Sequence, residues 1–215
     1  MKSIKIFVSH RIDIDSFQIP NPIFVNVLCG AYRPHKDNGL IGDNTGDNIS
    51  ELQPYFSELT VQYWAWKNQD ADYYGLCHYR RLFGDLDRIA DKLQQVDVDA
   101  VLPFPTLCEH SVFEDYLFKH IPTVWQPMMD VLRELSPEYY MAAEKIFKGR
   151  VFYASNMLIL RREVLDALCQ FIITPAGVWI TTGMIVYKNG IKTIMHQGCF
   201  EYLSRRYYRI IKSTY

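Results

Sequence analysis

The sequence predicts an α/β fold in a single domain over residues 1–215, and three observations carry that expectation. β-rich runs alternate with helically spaced apolar stripes along one uninterrupted chain, with no internal repeat and no low-complexity linker. Hydrophobic residues make up 49% and charged residues 22%, an ordinary globular composition that excludes a disordered or fibrous chain. The longest apolar stretches, 23–32 and 177–187, fall short of the roughly 20 residues that a membrane span needs.

The elements follow in order. Ile4 to Val8 is a short buried strand with a polar exit, Ser9-His10-Arg11, and Ile23 to Leu28 is a second strand. Arg33 to Ser50 is a Gly/Asn/Asp-rich loop of about 18 residues, longer than the usual connection. Ser50 to Gln53 has capping-box spacing, Pro54 suits a first helical turn, and a helix is expected over 55–68. Tyr73 to Tyr79 reads as a strand, and Leu86, Ile89, Leu93 and Val96 as the stripe of a following helix. Val98 to Leu102 is the next strand. Ser111 and Glu114 form a second capping box, opening a helical region that reaches Phe147 with breaks at Pro122 and Pro137. Val151 to Leu160 is expected as a strand interrupted at Ser155-Asn156, followed by helices over 162–173 and 197–211.

Lys and Arg total 23 against 24 for Asp and Glu, so a dedicated nucleic-acid binder, which needs a basic surplus, is disfavoured. Five cysteines without CxxC spacing argue for reduced thiols in a cytosolic setting rather than a disulfide framework or zinc knuckle. The N-terminal apolar run is too short for a signal peptide.

Three constellations could carry chemistry. The loop 41–50 places Asp43, Asn44, Asp47 and Asn48 before a helix N-terminus, where amides and helix dipole can hold a ribose, a phosphate or a sugar; the alternative is a loop of Asx turns that caps the helix. A buried strand delivers His78, Tyr79, Arg80 and Arg81 to its carboxyl end, where ligands bind in open α/β sheets, and guanidinium forks match diphosphate oxygens. The alternative there is a pair of surface arginines bridged to Asp85 and Asp87. Asp85-Leu86-Asp87 itself matches a carboxylate pair that could hold Mn or Mg, but the same spacing recurs at Asp13/Asp15, Asp70/Asp72 and Asp97/Asp99, and Asp85 reads more simply as a helix N-cap. Asn156 breaks an apolar strand, as a bulge or as a polar group aimed into a cleft. Residues 201–215 carry a local charge of +3 interleaved with tyrosines, which suits either an amphipathic helix on the anionic inner-membrane surface or a helix packed on the sheet.

The stretch IGDNTGDNISELQPYFSELTVQYWAWKN, followed by DYYGLCHYRRLF, resembles a domain of bacterial capsular and exopolysaccharide glycosyltransferases that was long described only as of unknown function. The shared motifs fall on Asp47 to Ser50, Glu58 to Asn68 and Gly75 to Arg81, and the resemblance extends over nearly the whole chain. It implies a GT-A-like, Rossmann-like domain with a central mixed sheet flanked by helices. It also implies transfer of a sugar from a UDP-sugar donor, with UDP-galactofuranose one candidate, to a glycan or lipid-linked acceptor of capsule or lipopolysaccharide at the cytoplasmic face of the membrane. In the site so implied, Arg80 and Arg81 neutralise the departing diphosphate, wholly or partly in place of Mn or Mg. His78 is the first candidate base and Glu201 the reserve. Ser9, His10 and Arg11, with Asp43, Asn44, Asp47 and Asn48, would hold nucleotide and ribose, while Glu58, Tyr63 and Lys67 line the helix behind. The rival expectations are a non-catalytic nucleotide-sugar or glycan-binding domain, a phosphate-ester enzyme, and a scaffold of polysaccharide assembly.

Overall fold

The structure, a computed structural model, describes residues 1–119, 122–135, 137–153 and 156–173. The expected helix over 197–211, with Glu201 and the basic tail, lies outside them. Strands are β1 (Ile4–Arg11), β2 (Phe24–Cys29), β3 (Ile41–Gly42), β4 (Tyr73–His78), β5 (Ala100–Val101), β6 (Thr106–Leu107), β7 (Val151–Phe152) and β8 (Leu158–Arg161). Helices are α1 (Gln53–Phe56), α2 (Leu59–Asn68), α3 (Leu86–Gln95), α4 (Val112–Lys119), α5 (Trp125–Leu135), α6 (Pro137–Phe147) and α7 (Arg162–Ile173). Where a single domain is expected over 1–215, the described residues divide into two compact units, with boundaries near Leu102, Met157 and Cys169.

The first unit holds a six-stranded mixed sheet in the order β3-β2-β1-β4-β8-β5. β1 runs parallel to both β2 and β4, while β8 is antiparallel to β4 and β5. As an inner strand, β1 is apolar on both faces, as a strand covered by two helical layers must be. Ile6 and Val8 pack with Tyr73, Cys77, Ile159 and Leu93 of α3. On the opposite face Phe7 stacks on Tyr74 at 6.1 Å and meets Trp64 of α2 edge-on at 6.3 Å. α2 is tied to α7 by Trp66 Nε1, which donates to Asp166 Oδ1 at 2.7 Å, and by Gln62, whose amide reaches the buried Cys169 thiol. A Cβ at Gly75 would lie 2.8 Å from Ile6, so glycine lets β4 approach β1.

The second unit pairs β6 with β7 and packs α4, α5 and α6 around Cys108, Val112, Tyr116, Met129, Leu132, Ala143 and Phe147. The expected capping box forms here: Ser111 Oγ accepts from Glu114 N–H at 3.1 Å, and the Glu114 carboxylate accepts from Ser111 N–H at 2.9 Å. The Ser111 hydroxyl, donating to the Glu114 carboxylate at 2.6 Å, and then the Ser111 N–H hold that carboxyl below its usual range.

Other expectations are corrected. The helix over 55–68 is broken at Ser57 (φ +50°), which separates α1 from α2. The strand over 98–102 shrinks to β5. The strand over 151–160 becomes β7 and β8, which belong to different sheets. Ser50 and Gln53 make no capping box. The reason is Asp43, which takes the serine.

Asp43 is fully enclosed. One oxygen accepts from Ala31 N–H at 3.0 Å and Ser50 Oγ–H at 2.5 Å; the other accepts from Gly30 N–H at 2.9 Å and Thr60 Oγ1–H at 2.6 Å. Around this carboxylate the loop knits to α2. Asn44 donates to Ala31 O, Tyr63 Oη–H to Asp47, Trp64 Nε1–H to Thr45, and Asn68 to Asp47 O. Gly46 (φ +58°) is required twice over, because a Cβ there would also run into Asn68 Oδ1.

Removal of the carboxylate would strand the enclosed Gly30, Ala31 and Ser50 donors and leave the Thr60 hydroxyl with Ser57 O at 3.0 Å. Asp43→Ala is expected to lower stability by about 3–5 kcal/mol, and Gly46→Ala by about 1–2 kcal/mol, read as shifts in the urea unfolding midpoint at constant slope. A loss below about 1 kcal/mol for Asp43→Ala would contradict the clasp.

Candidate functional site

The chain order of the strands marks one position. From β1 it steps outward to β2 and β3, then returns to β4 on the other side of β1. The carboxyl ends of β1 and β4 therefore flank the point where the winding reverses, which in open α/β sheets leaves a ligand crevice. Register aligns Ser9 with His78 and Arg11 with Cys29, so β1, β2 and β4 end along one edge.

At that edge β4 ends in a tight turn: His78 O accepts from Arg81 N–H at 3.0 Å, and Ser9 O accepts from Tyr79 N–H at 3.1 Å. The turn presents Arg80 and Arg81 to solvent, with the Arg80 guanidinium 5.2 Å from the Tyr79 ring centre. His78 is partly open, and its Nε2 lies 3.5 Å from Glu58 Oε1 at the N-terminus of α2. A carboxylate at that distance orients the ring, as a general base requires. From β1 the Arg11 side chain reaches outward, paired with Asp13 at 2.5 Å and stabilised as a cation by that carboxylate and by the Tyr79 phenol. The Asp13 carboxyl is held below its usual range chiefly by the Arg11 hydrogen bond, with a smaller contribution from the charge of Arg33, just beyond β2. Arg33 donates to Gln53, and its Nε is buried with no hydrogen-bond partner among the described residues. Nothing local marked Arg33 in the sequence; the parallel register of β1 and β2 brings it to this edge, whereas Asp13 pairs with Arg11 two residues away.

The structure thus brings Arg11, Glu58, His78, Tyr79, Arg80 and Arg81 together and separates them from the remaining candidates. Asp43 is enclosed and its oxygens are engaged, so it organises the loop instead of facing an open surface. Asn44, Asp47 and Asn48 bond backbone and side chains of the same clasp; Asn48 donates to Gly46 O and accepts from Ser50 N–H. Tyr63 is buried, and its phenol is pushed up to about 12 by that burial and by the Asp47 bond. Lys67 lays its ammonium 3.8 Å from the Trp66 ring centre. Ser9 is buried beside the Cys29 thiol, which burial raises to about 11. Asp85 and Asp87 are exposed, Asp85 lies 3.7 Å from the Arg88 guanidinium, and its side chain makes no N-cap bond to α3. No group of three or more His, Cys, Asp or Glu that could hold a metal ion occurs among the described residues. Asn156 is half-buried and belongs to the second unit, and Glu201 is outside the described residues.

His10 is also corrected. Its ring is buried, with Nε2 donating to Asn26 Oδ1 at 2.9 Å and Nδ1 accepting from Ser16 Oγ–H at 2.6 Å. Burial pulls its pKa below the usual 6.5, against a smaller opposing effect of Asn26, so the native ring is neutral. Unfolding releases a histidine that protonates more readily. This part of the stability is complete above about pH 6.5 and is lost as the pH falls through the lower native value, with a slope of at most about 1.4 kcal/mol per pH unit. The stability advantage of the native protein over His10→Gln is expected to shrink between pH 7.5 and pH 5.5 in paired urea titrations. A constant difference would show that burial leaves the ring's titration unchanged, and an advantage that grows toward pH 5.5 would show a ring charged in the native state.

Comparison with known proteins fits this geometry. Among solved structures the chain is similar to the apo structure of WbbM, a bifunctional glycosyltransferase, with a TM-score of 0.76 and 20% identity over 97% of this chain and 44% of that one. The chain spans less than half the length of that protein, and the likeness establishes a shared fold. No curated protein matches. The model of the family described as a domain of unknown function, DUF4422, matches residues 5–175, and the chain belongs to that family.

Proposed function

We propose that this chain is a glycosyltransferase that moves a sugar from a nucleotide-diphosphate donor, of the UDP type, to the hydroxyl of a growing glycan. The observation that carries the reading is the edge at the winding reversal, where the paired His78 and Glu58 stand beside exposed arginines in a fold shared with a known glycosyltransferase. During transfer the bond from the anomeric carbon to the diphosphate oxygen breaks, and the acceptor oxygen takes its place. His78 accepts the hydroxyl proton and Glu58 stabilises the resulting imidazolium. Arg80 and Arg81 stabilise the charge that develops on the departing diphosphate, and Arg11 and Arg33 extend that positive edge.

Exposed Asp85 and Asp87, with Arg88 against Asp85, do not fit as the ligand set of a divalent ion. Capsule or lipopolysaccharide as the glycan, UDP-galactofuranose as the donor, and docking of the basic tail on the inner-membrane surface rest on the sequence resemblance and the tail's composition. Among the described residues no helix is long and apolar enough to cross a membrane.

Thermal unfolding of the whole chain with UDP, GDP, CDP and their sugars, each with Mn or with EDTA, tests this reading. UDP at about 100 times its dissociation constant is expected to add roughly 2.7 kcal/mol, read as a rise in Tm. Arg80→Ala/Arg81→Ala is expected to abolish the rise. His78→Gln is expected to keep it and to lower nucleotide release in the presence of acceptor by about 10²–10⁴-fold. No shift with any nucleotide overturns the donor site; a shift that requires Mn overturns arginine as the sole neutralising charge.

A further inference from the structure

The second unit contains a cleft of about 370 Å³ lined wholly by its own residues, a volume within the range of small-ligand sites. Its apolar wall is Trp125, whose indole is locked by Phe113 and Phe147, each with ring centres at 4.5 Å, and by Tyr116 at 5.2 Å. Phe147 is buried, while Gln126, Arg133 and Lys148 line the cleft as exposed side chains. Gln126, Arg133 and Tyr140 are held in place before any ligand arrives. Arg133 donates to Tyr140 Oη at 2.9 Å and lies 4.6 Å from that ring's centre; the Tyr140 hydroxyl donates to Glu144 Oε1 at 3.1 Å; Gln126 donates to Asp130 at 2.9 Å. Each retains capacity. A carboxylate offers about four acceptor positions, a guanidinium five N–H donors and an ammonium three.

From these features we infer that the cleft is a carbohydrate subsite. A sugar ring has apolar C–H faces and a rim of hydroxyls, each both donor and acceptor. It can lay one face on a rigid indole and spread its hydroxyls among Gln126, Arg133, Glu144 and Lys148. A hydrocarbon chain would desolvate those charged groups without compensation. Reading the sugar as the acceptor glycan rests on the glycosyltransferase proposal; the binding itself does not.

Saturation-transfer NMR on the whole chain, with methyl glycosides of galactose, glucose, mannose, rhamnose and glucuronic acid, tests the subsite. At least one glycoside is expected to receive saturation on its ring protons. Trp125→Phe is expected to weaken its binding several-fold, and the surface pair Gln126→Ala/Lys148→Ala about tenfold or more, with circular dichroism unchanged. The surface pair keeps the test decisive even where a change at Trp125 disturbs the fold. No transfer to any glycoside, transfer undiminished in the surface pair, or displacement of the glycoside by UDP from this cleft would overturn the inference. UDP binding followed in the same samples separates the two proposals. Retained nucleotide binding without glycan binding defeats only the subsite, and the reverse defeats only the donor site.

Discussion

One enclosed carboxylate organises the sheet unit. Asp43 takes four hydrogen bonds from the end of β2, from the turn before α1 and from α2, so elements distant in sequence converge on a single charge. A buried anion is tolerable only with such saturation, and each donor would be costly without it. The consequence reaches the candidate site. Thr60, one of the four donors, is two residues from Glu58, and Glu58 is the group beside His78. The clasp therefore sets where α2 begins, and with it the distance between the proposed base and its carboxylate partner.

The loop that most resembles a ligand cradle in the sequence is this clasp. Asp, Asn, Ser, Thr and Gly supply the same donors, acceptors and backbone freedom whether they face a phosphate or their own chain, so composition alone cannot separate the two. Burial separates them, and burial is a tertiary property. The two capping-box patterns show the same boundary. Ser111 and Glu114 close a ring of bonds within one turn, which local spacing predicts. Ser50 has similar spacing, yet Asp43, seven residues away, captures its hydroxyl. Ser57 likewise gives no local sign that the chain turns to φ +50° there.

What was legible followed from patterns that do not depend on distant partners: the alternation of strands and helices, the buried run of β1, and the polar exit of β4 at His78. Arg33 was not legible, because its place beside Arg11 and Asp13 follows from the register of β1 on β2. The division of 151–160 into strands of two sheets was hidden for the same reason, since a short apolar run does not say which sheet it joins.

The composition of the edge constrains how the proposed reaction would respond to pH. Guanidinium groups stay protonated at any pH the fold survives, so neutralisation of a diphosphate by Arg80, Arg81, Arg11 and Arg33 does not titrate. Tyr63, with its phenol near 12, and the Cys77 thiol, also pushed up to about 12, are inert across the same range. His10 is enclosed and neutral. Among the groups gathered at the carboxyl ends of β1, β2 and β4, that leaves the His78 and Glu58 pair as the place where the acceptor's proton would be taken. Binding and chemistry would then be carried by different side chains on one turn of backbone, the arginines holding the diphosphate and the histidine taking the hydroxyl proton.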